Sequence, residues 1–283
     1  MNKSGIKRIV TKLIPDKIYL KHRFHSIMGY PLNLNNPVTY NEKLQWLKLN
    51  DRKNNYSKLV DKYEVKKFVA NKIGKEYIIP TYGVWNRFDE IDFDKLPNQF
   101  VLKCTHDSGS YVICSDKEKF DVEAAKLKIE KALKSSFYWD SREWPYKNVR
   151  PRIIAEKYIG FYPKDYKFFV FDSEIDSVMV CNGRENGHPK FYFYDTDWKR
   201  LYYQHKEIEF EDTIEKPLGF ETMIEIVKQL SEGFPHIRID LYNVNGKIWF
   251  GEYTFYDQGG FDTDITRETD LLWGKKIKLQ MNQ

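Results

Sequence analysis

The stretch Phe234-Pro235-His236-Ile237-Arg238-Ile239-Asp240-Leu241-Tyr242-Asn243-Val244-Asn245-Gly246-Lys247-Ile248-Trp249-Phe250-Gly251-Glu252-Tyr253-Thr254-Phe255 reads as two strands around an Asn-Gly turn. Apolar Ile237, Ile239 and Leu241 alternate with Arg238 and Asp240, the period of a half-buried strand. In the second strand Ile248 and Phe250 are apolar, and Glu252 and Thr254 follow two apart. Register decides whether these polar groups meet. A two-residue loop pairs Val244 with Lys247 and sends Asp240 and Glu252 to opposite faces. A three-residue loop over 244–246, with Gly246 left-handed, pairs Asn243 with Lys247 and puts Arg238, Asp240, Glu252 and Thr254 on one face. Asp240 and Glu252 are then diagonal neighbours, roughly 7–8 Å apart at Cα. Two carboxylates so placed reach one hard cation, which takes oxygen ligands and keeps several waters. The plainer alternative is a solvated polar face of an antiparallel sheet.

The 283 residues suffice for one large domain or two small ones. A content of 41% hydrophobic and 16% aromatic residues is that of a globular chain, not a disordered one. The net charge of +5 permits an anionic substrate or nucleotide but gives no argument for a nucleic-acid partner. Cys104, Cys114 and Cys181 are odd in number and lack metal-ligand spacing, so they read as reduced core residues of a cytoplasmic protein. No apolar run approaches membrane-spanning length, and the N-terminus lacks a signal-peptide core.

Residues 3–25 are basic, with Lys3, Lys7, Arg8, Lys12, Lys17, Lys21 and Arg23, while Ile6, Ile9, Val10 and Leu13 have helical spacing. This predicts a helix packed on the body with a solvated basic face. The sharper alternative is peripheral contact with the inner face of an anionic membrane. Thr39-Tyr40-Asn41-Glu42 is a capping box opening a helix with Leu44, Leu47 and Leu49. A second helix is expected from about 58 to 73, stopped by Gly74, with Asp61, Lys62 and Lys66 as surface charges.

From Tyr77 the period changes to that of strands. Short strands are expected at 77–80 and 83–85. Phe100-Val101-Leu102-Lys103 leads through Cys104-Thr105-His106-Asp107-Ser108-Gly109-Ser110 into Tyr111-Val112-Ile113-Cys114. A strand ending in Lys, a small-residue loop and a second strand form one way to hold a triphosphate. The loop gives N–H groups and hydroxyls, and the Lys a point charge. A plain hairpin turn is the alternative. A helix follows over about 122–134, and the aromatic, charged 137–150 segment reads as a loop. Strands are expected at 152–159 with Glu156, at 166–171 with Lys167 just after Asp165, at 174–180 and at 190–194. Between the last two lies the polar turn 182–188, whose Arg184 and His188 read as solvent-exposed or as closing over a site. A helix over 220–232 precedes the opening hairpin, and Asp257-Gln258-Gly259-Gly260-Phe261 makes a glycine turn beside its end.

Laid out in this order, Lys103, the glycine loop, Glu156, Asp165 and Lys167, and the Asp240 to Glu252-Tyr253-Thr254 hairpin resemble the ATP-grasp superfamily. The chain looks most like the branch named after the teichuronopeptide biosynthesis protein TupA. It shares Asn36-Pro37-Val38-Thr39-Tyr40-Asn41-Glu42-Lys43-Leu44-Gln45-Trp46-Leu47, Asp61-Lys62-Tyr63, Val101-Leu102-Lys103-Cys104 with His106 and Gly109, and Gly251-Glu252-Tyr253-Thr254-Phe255. The resemblance spans roughly residues 30–275. It implies an α+β fold of two subdomains gripping a nucleotide, at about 76–150 and 151–283, after a helical region over 1–75.

The resemblance also implies roles. Lys103 contacts the phosphates of ATP, and Ser108, Gly109 and Ser110 form a lid over them. Glu156, Lys157 and Tyr158 form the adenine hinge, Asp165 lies near the ribose, and Lys167 reaches a phosphate. Asp240 and Glu252 bind magnesium, and Arg238 steadies the transferred phosphoryl group. Thr254 stands where many such enzymes carry Asn as a further metal ligand, and Asp107 where a second Gly is common. The implied reaction joins a carboxylate, here a uronic acid of a surface polysaccharide, to an amino acid or similar amine. The enzymatic rival is a metal-dependent sugar-nucleotide glycosyltransferase using Asp195-Thr196-Asp197 or Asp262-Thr263-Asp264, each a D-x-D pattern. A third reading, an inactive carbohydrate-binding protein, rests on the 20 Tyr and 7 Trp that suit sugar stacking.

Overall fold

In the computed structural model, which describes residues 11–183, 187–206 and 212–280, the opening stretch forms two strands, His236–Val244 and Lys247–Thr254. Asn245 and Gly246 adopt positive φ of 51° and 83°, and Lys247 pairs with Val244. The turn is therefore the two-residue form, not the three-residue loop over 244–246. Yet Asp240 and Glu252 pair directly. Pairing is regular up to Phe250 with Leu241 and resumes at Glu252 with Asp240, leaving Gly251 as a bulge. The extra residue that the sequence reading placed in the turn lies in the strand, and it restores the shared face. Glycine is required there because an added Cβ would stand 2.9 Å from the Asp240 carbonyl oxygen.

We number the strands in chain order: β1 Thr81–Trp85, β2 Phe100–Cys104, β3 Tyr111–Cys114, β4 Ile153–Lys157, β5 Asp165–Phe171, β6 Glu174–Asn182, β7 Lys190–Tyr194, β8 Arg200–Leu201, β9 His236–Val244 and β10 Lys247–Thr254. They make two antiparallel sheets, one in the order β1-β4-β2-β3 and one in the order β10-β9-β5-β6-β7-β8. The small sheet draws its fourth strand from beyond residue 150. Its core is Phe100, Leu102, Ile153 and Ala155 against Ala125 and Ile129 of the helix Val122–Leu133.

The large sheet buries Phe168, Ile237, Ile239 and Leu241 under the helix Phe220–Ser231. Phe169 packs beneath Trp273 of the helix Arg267–Lys276, their rings stacked at 4.7 Å. Residues of the N-terminal helices, among them Tyr40, Leu44, Leu59, Val65 and Val69, belong to this same core. The first helix, Asp16–Met28, packs through Leu20 and Phe24, and Lys17 and Lys21 face solvent. Lys3, Lys7, Arg8, Ile6, Ile9 and Val10 lie outside the described residues, as does Arg184. The capping box at Thr39 forms as expected, and Cys104, Cys114 and Cys181 are buried and free.

Three expectations are corrected. The 58–73 helix is broken into Tyr56–Val60 and Glu64–Ile73, because Asp61 turns its carboxylate back onto the N–H groups of Tyr63 and Glu64. Residues 137–150 are not a plain loop: they hold the helical turn Phe137–Ser141 and the 3-10 turn Trp144–Tyr146, with Arg142 and Glu143 buried between them. The strand expected at 77–80 begins instead at Thr81, after a 3-10 turn at Lys75–Tyr77.

Gly251→Ala should lower stability by about 1–3 kcal/mol, the range for overpacking a close contact. A denaturant titration with unchanged slope and a lower midpoint is the expected result; an unshifted midpoint would show that the bulge tolerates a side chain.

Candidate functional site

The outer face of β9 and β5 carries charge where the inner face carries apolar groups. Lys167 stands opposite Asp240, and Asp165 opposite Tyr242. The Lys167 ammonium reaches Asp165 at 2.6 Å and also pairs with Asp240. Arg238 grips Asp240 with two bonds of 2.7 and 2.8 Å, pairs with Asp257, and donates to Thr254 at 3.0 Å. Glu252 stands 3.5 Å from Arg238 and keeps 38% of its side chain exposed, whereas Asp240 is almost wholly buried. Burial pushes the Asp240 carboxyl up, but Arg238 and Lys167 outweigh it and hold it below the usual range.

Four carboxylates, Asp165, Asp240, Glu252 and Asp257, thus meet two cations, Lys167 and Arg238. The deficit of two positive charges, with hard oxygen donors on Asp240 and Glu252 side by side, suits a hard divalent cation such as magnesium. Thr254 is engaged by Arg238 and by Glu252 at 3.4 Å. Among the described residues no cluster of three or more His, Cys, Asp or Glu forms a closed all-protein metal cage.

The small sheet supplies the facing wall. Lys103 of β2 pairs with the buried Glu156 of β4 at 2.7 Å. Lys66, from the helix Glu64–Ile73, pairs with the other oxygen of Glu156 at 2.5 Å and donates to the Ile79 carbonyl and to Thr81. Burial pushes the Glu156 carboxyl up, but Lys103 and Lys66 together hold it down at about 2. Lys62 donates its backbone N–H to Thr105 and its ammonium to the Asp107 carbonyl. Asp61 is buried and receives Arg152 at 2.8 Å. Lys62 and Lys66 therefore line the cleft and Asp61 is buried in an ion pair, so none is the surface charge expected of it.

Between these walls lies a cavity of about 300 Å³ lined by Lys62, Lys66, Lys103, Glu156, Lys167, Arg238, Asp240 and Glu252, with Ser108, Gly109 and Ser110 at its edge. Gly109 has φ +89°, and Asp107 turns its carboxylate to the Ser110 hydroxyl at 2.5 Å, inside the loop. A contiguous apolar recess of about 120 Å³ is lined by Ile79, Val101, Ile113, Ile159 and Tyr242. Lys157 also borders it, and the Lys157 N–H is bonded to the Pro80 carbonyl at 2.9 Å. Of the expected hinge, Glu156 faces the lysines and Lys157 the recess, while Tyr158 lines neither cavity. The recess residues were missed in sequence, although Val101 shares the face of Lys103 by alternation and Tyr242 that of Asp240. The two D-x-D patterns stay outside both cavities: Asp195 closes its own turn onto Asp197 and Lys199, and Asp262 is buried beside Asn41.

The model of the family described as TupA-like ATPgrasp matches residues 42–278. Among solved structures, a D-alanine–D-alanine ligase from Bacillus anthracis is 15% identical over 84% of this chain and 65% of its own, with a TM-score of 0.42. The ATP-grasp ligase PsnB, complexed with minimal precursor, Mg and ADP, is 9% identical over 76% of this chain and 57% of its own, at 0.41. A D-alanine–D-alanine ligase from Helicobacter pylori is 14% identical over 78% and 61%, at 0.39. The chain thus spans less than two thirds of the length of these proteins. No curated protein matches it by sequence. Its two antiparallel sheets with their helices are an α+β ATP-grasp fold, and with most of its length matched the chain belongs to the TupA-like ATP-grasp family.

Proposed function

We propose that the protein is an ATP-dependent carboxylate-amine ligase working through an acyl phosphate. One observation carries this reading: Lys103, Lys167, Arg238 and the Asp240–Glu252 pair converge from two sheets on a single cavity beside an apolar recess. The recess suits adenine, with Lys157 at its border and Asp165 toward the ribose. Lys103 and Lys167 then meet the phosphates, with Ser108, Gly109 and Ser110 as the covering loop.

Asp240 and Glu252 would hold magnesium, with Thr254 as a supporting hydroxyl. Bound there, the metal supplies charge neutralisation of the phosphate oxygens. Arg238 and Lys167, each held in place by carboxylates, present N–H donors where the transferring phosphoryl group loosens. A substrate carboxylate attacks the γ-phosphorus and ADP leaves; an amine then attacks the acyl carbon and phosphate leaves. Closure of the 108–110 loop excludes the water that would hydrolyse the acyl phosphate. Glu156 fixes Lys103 in the cleft rather than touching the nucleotide itself.

The resemblance to the TupA branch supports a uronic acid of a bacterial surface polysaccharide or its precursor as the carboxylate, and an amino acid or similar amine as the nucleophile. Among the described residues no helix is long and apolar enough to cross a membrane. Exposed Lys12, Lys17 and Lys21 beside exposed Leu13 and Ile18 support peripheral contact with an anionic membrane carrying such a substrate.

Thermal shift with ADP, with and without magnesium, tests the reading directly, and a magnesium-dependent shift is expected. Glu252→Gln, at the more exposed of the two carboxylates, should abolish the magnesium dependence while leaving the fold intact; a wild-type response would sink the metal assignment. Lys103→Ala should weaken ATP binding about 10-fold or more, as loss of a charge-assisted bond does. Unchanged affinity would contradict the role of Lys103.

Glu156 titrates at about 2 in the fold against 4.5 ordinarily, so its contribution is full above pH 4.5 and is lost as pH falls towards 2. The stability gap between wild type and Glu156→Gln should therefore be roughly 3 kcal/mol at neutral pH and close on acidification, measured by urea unfolding across pH. A gap that does not change with pH would overturn the ion-pair account.

A further inference from the structure

A second cavity, of about 340 Å³, shares Ser108, Arg238 and Glu252 with the first and lies beyond the phosphate end of the cleft. Its charged lining is Asp140, Glu143, Glu252 and Asp257 against Arg23 and Arg238. Arg238 is already bound to Asp240 and Asp257, so the charge left over is negative. Phe137, Tyr146, Tyr256 and Phe261 add aromatic walls. A second carboxylate substrate would be repelled here, whereas a cation is attracted both by the acids and by the ring faces.

Glu143 is the group that decides what cation. It is 4% exposed and lines the cavity between the turns Phe137–Ser141 and Trp144–Tyr146. Lys48, fully buried behind it on the helix Tyr40–Asn50, acts on Glu143 through space. The Lys48 ammonium is bonded instead to Gln45 at 3.1 Å, to the Ser141 carbonyl at 2.8 Å and to the Gly259 carbonyl at 2.5 Å. A buried carboxylate without a bonded cation, facing a cavity beside the phosphate site, is a receptor for a compact ammonium that brings its own hydrogen bonds.

We propose that this cavity seats the amine nucleophile as a primary ammonium held by Glu143, and that the Glu143 carboxylate takes the proton that frees the amine. The inference rests on the ligase reading above. The ammonium R–NH3+ gives one proton to Glu143. The nitrogen lone pair forms the C–N bond at the acyl carbon, and the C–O bond to phosphate breaks, its electron pair leaving with phosphate. The departing phosphate takes the second nitrogen proton, and Glu143 later returns the first to solvent. Burial pushes the Glu143 carboxyl up, against the pull of Lys48 and of a hydrogen bond from Ser141, with Asp257 raising it and Arg238 lowering it, the direction that suits a proton acceptor near neutral pH.

The test is ligand-observed NMR on the full chain saturated with magnesium and a non-hydrolysable ATP analogue. The probes are free amino acids and ethanolamine, each against its deaminated counterpart, with glucuronate as a carboxylate control. Amines should bind and deaminated counterparts should not. Glu143→Gln should weaken amine binding about 10-fold or more, with Glu143→Asp partly restoring it and the nucleotide response unchanged. Because Glu143 is buried, Phe137→Trp, which fills the cavity from its wall, provides a second variant and should give the same loss. Equal binding of deaminated probes, glucuronate binding that Phe137→Trp removes, or no amine binding in a protein that binds the nucleotide would overturn the amine pocket alone. Absence of any nucleotide response would overturn the ligase reading and the pocket with it.

Discussion

The molecule depends on one buried ionic arrangement, Arg238 and Lys167 clasping Asp240 on the outer face of the large sheet. Charges so deeply buried are tolerated only while they are paired, because an isolated ion loses far more hydration energy than packing returns. Three strands meet to build the pairing: β5 brings Lys167, β9 brings Arg238 and Asp240, and β10 brings Glu252 and Thr254. The opposite face of the same strands is apolar, so the hydrophobic core fixes the register that the charges need. Stability and site are two faces of one sheet.

The second wall is held by the same kind of device, with the signs reversed. There Glu156 is the buried centre and Lys66 and Lys103 are the clasps. Lys66 comes from the N-terminal helices, which share the core of the large sheet, while Lys103 and Glu156 come from the small sheet. The helical region is therefore a third wall of the cleft. The broken helix at Asp61 serves this: its turn directs Lys62 to the loop at Asp107 and lets Arg152 tie β4 to the helix.

Much of this was legible in the sequence. Alternation at 237–241, the Asn-Gly turn and the Thr39 capping box each follow from local chemistry, and local chemistry is what a sequence displays. The shared face of Asp240 and Glu252 was foreseen, but for the wrong reason. A two-residue turn and a bulge are indistinguishable in parity from a three-residue turn, and only the ladder separates them. Lys66 and Asp61 were misread because a lysine or aspartate on an amphipathic helix normally faces water; their partners, Glu156 and Arg152, stand about 90 residues away, beyond the reach of any window. The apolar recess was hidden for a related reason, since Ile79, Val101, Ile113, Ile159 and Tyr242 come from five separate segments.

The bulge at Gly251 has a consequence for lineage. Since it lies between the hairpin tip and the acids, the number of residues separating Asp240 from Glu252 is the joint product of turn length and bulge. A chain that lost Gly251 and gained one residue at the tip would present the same pair of carboxylates at the same spacing on a differently built hairpin. One that kept Gly251 but paired it with Asp240 in a regular ladder would rotate the buried Tyr253 into the cleft and Glu252 into the core. A one-residue gap at Gly251 would straighten the ladder and leave Glu252 opposite Asp240, so the sequence spacing of the two acids is free to differ by one where the bulge stands.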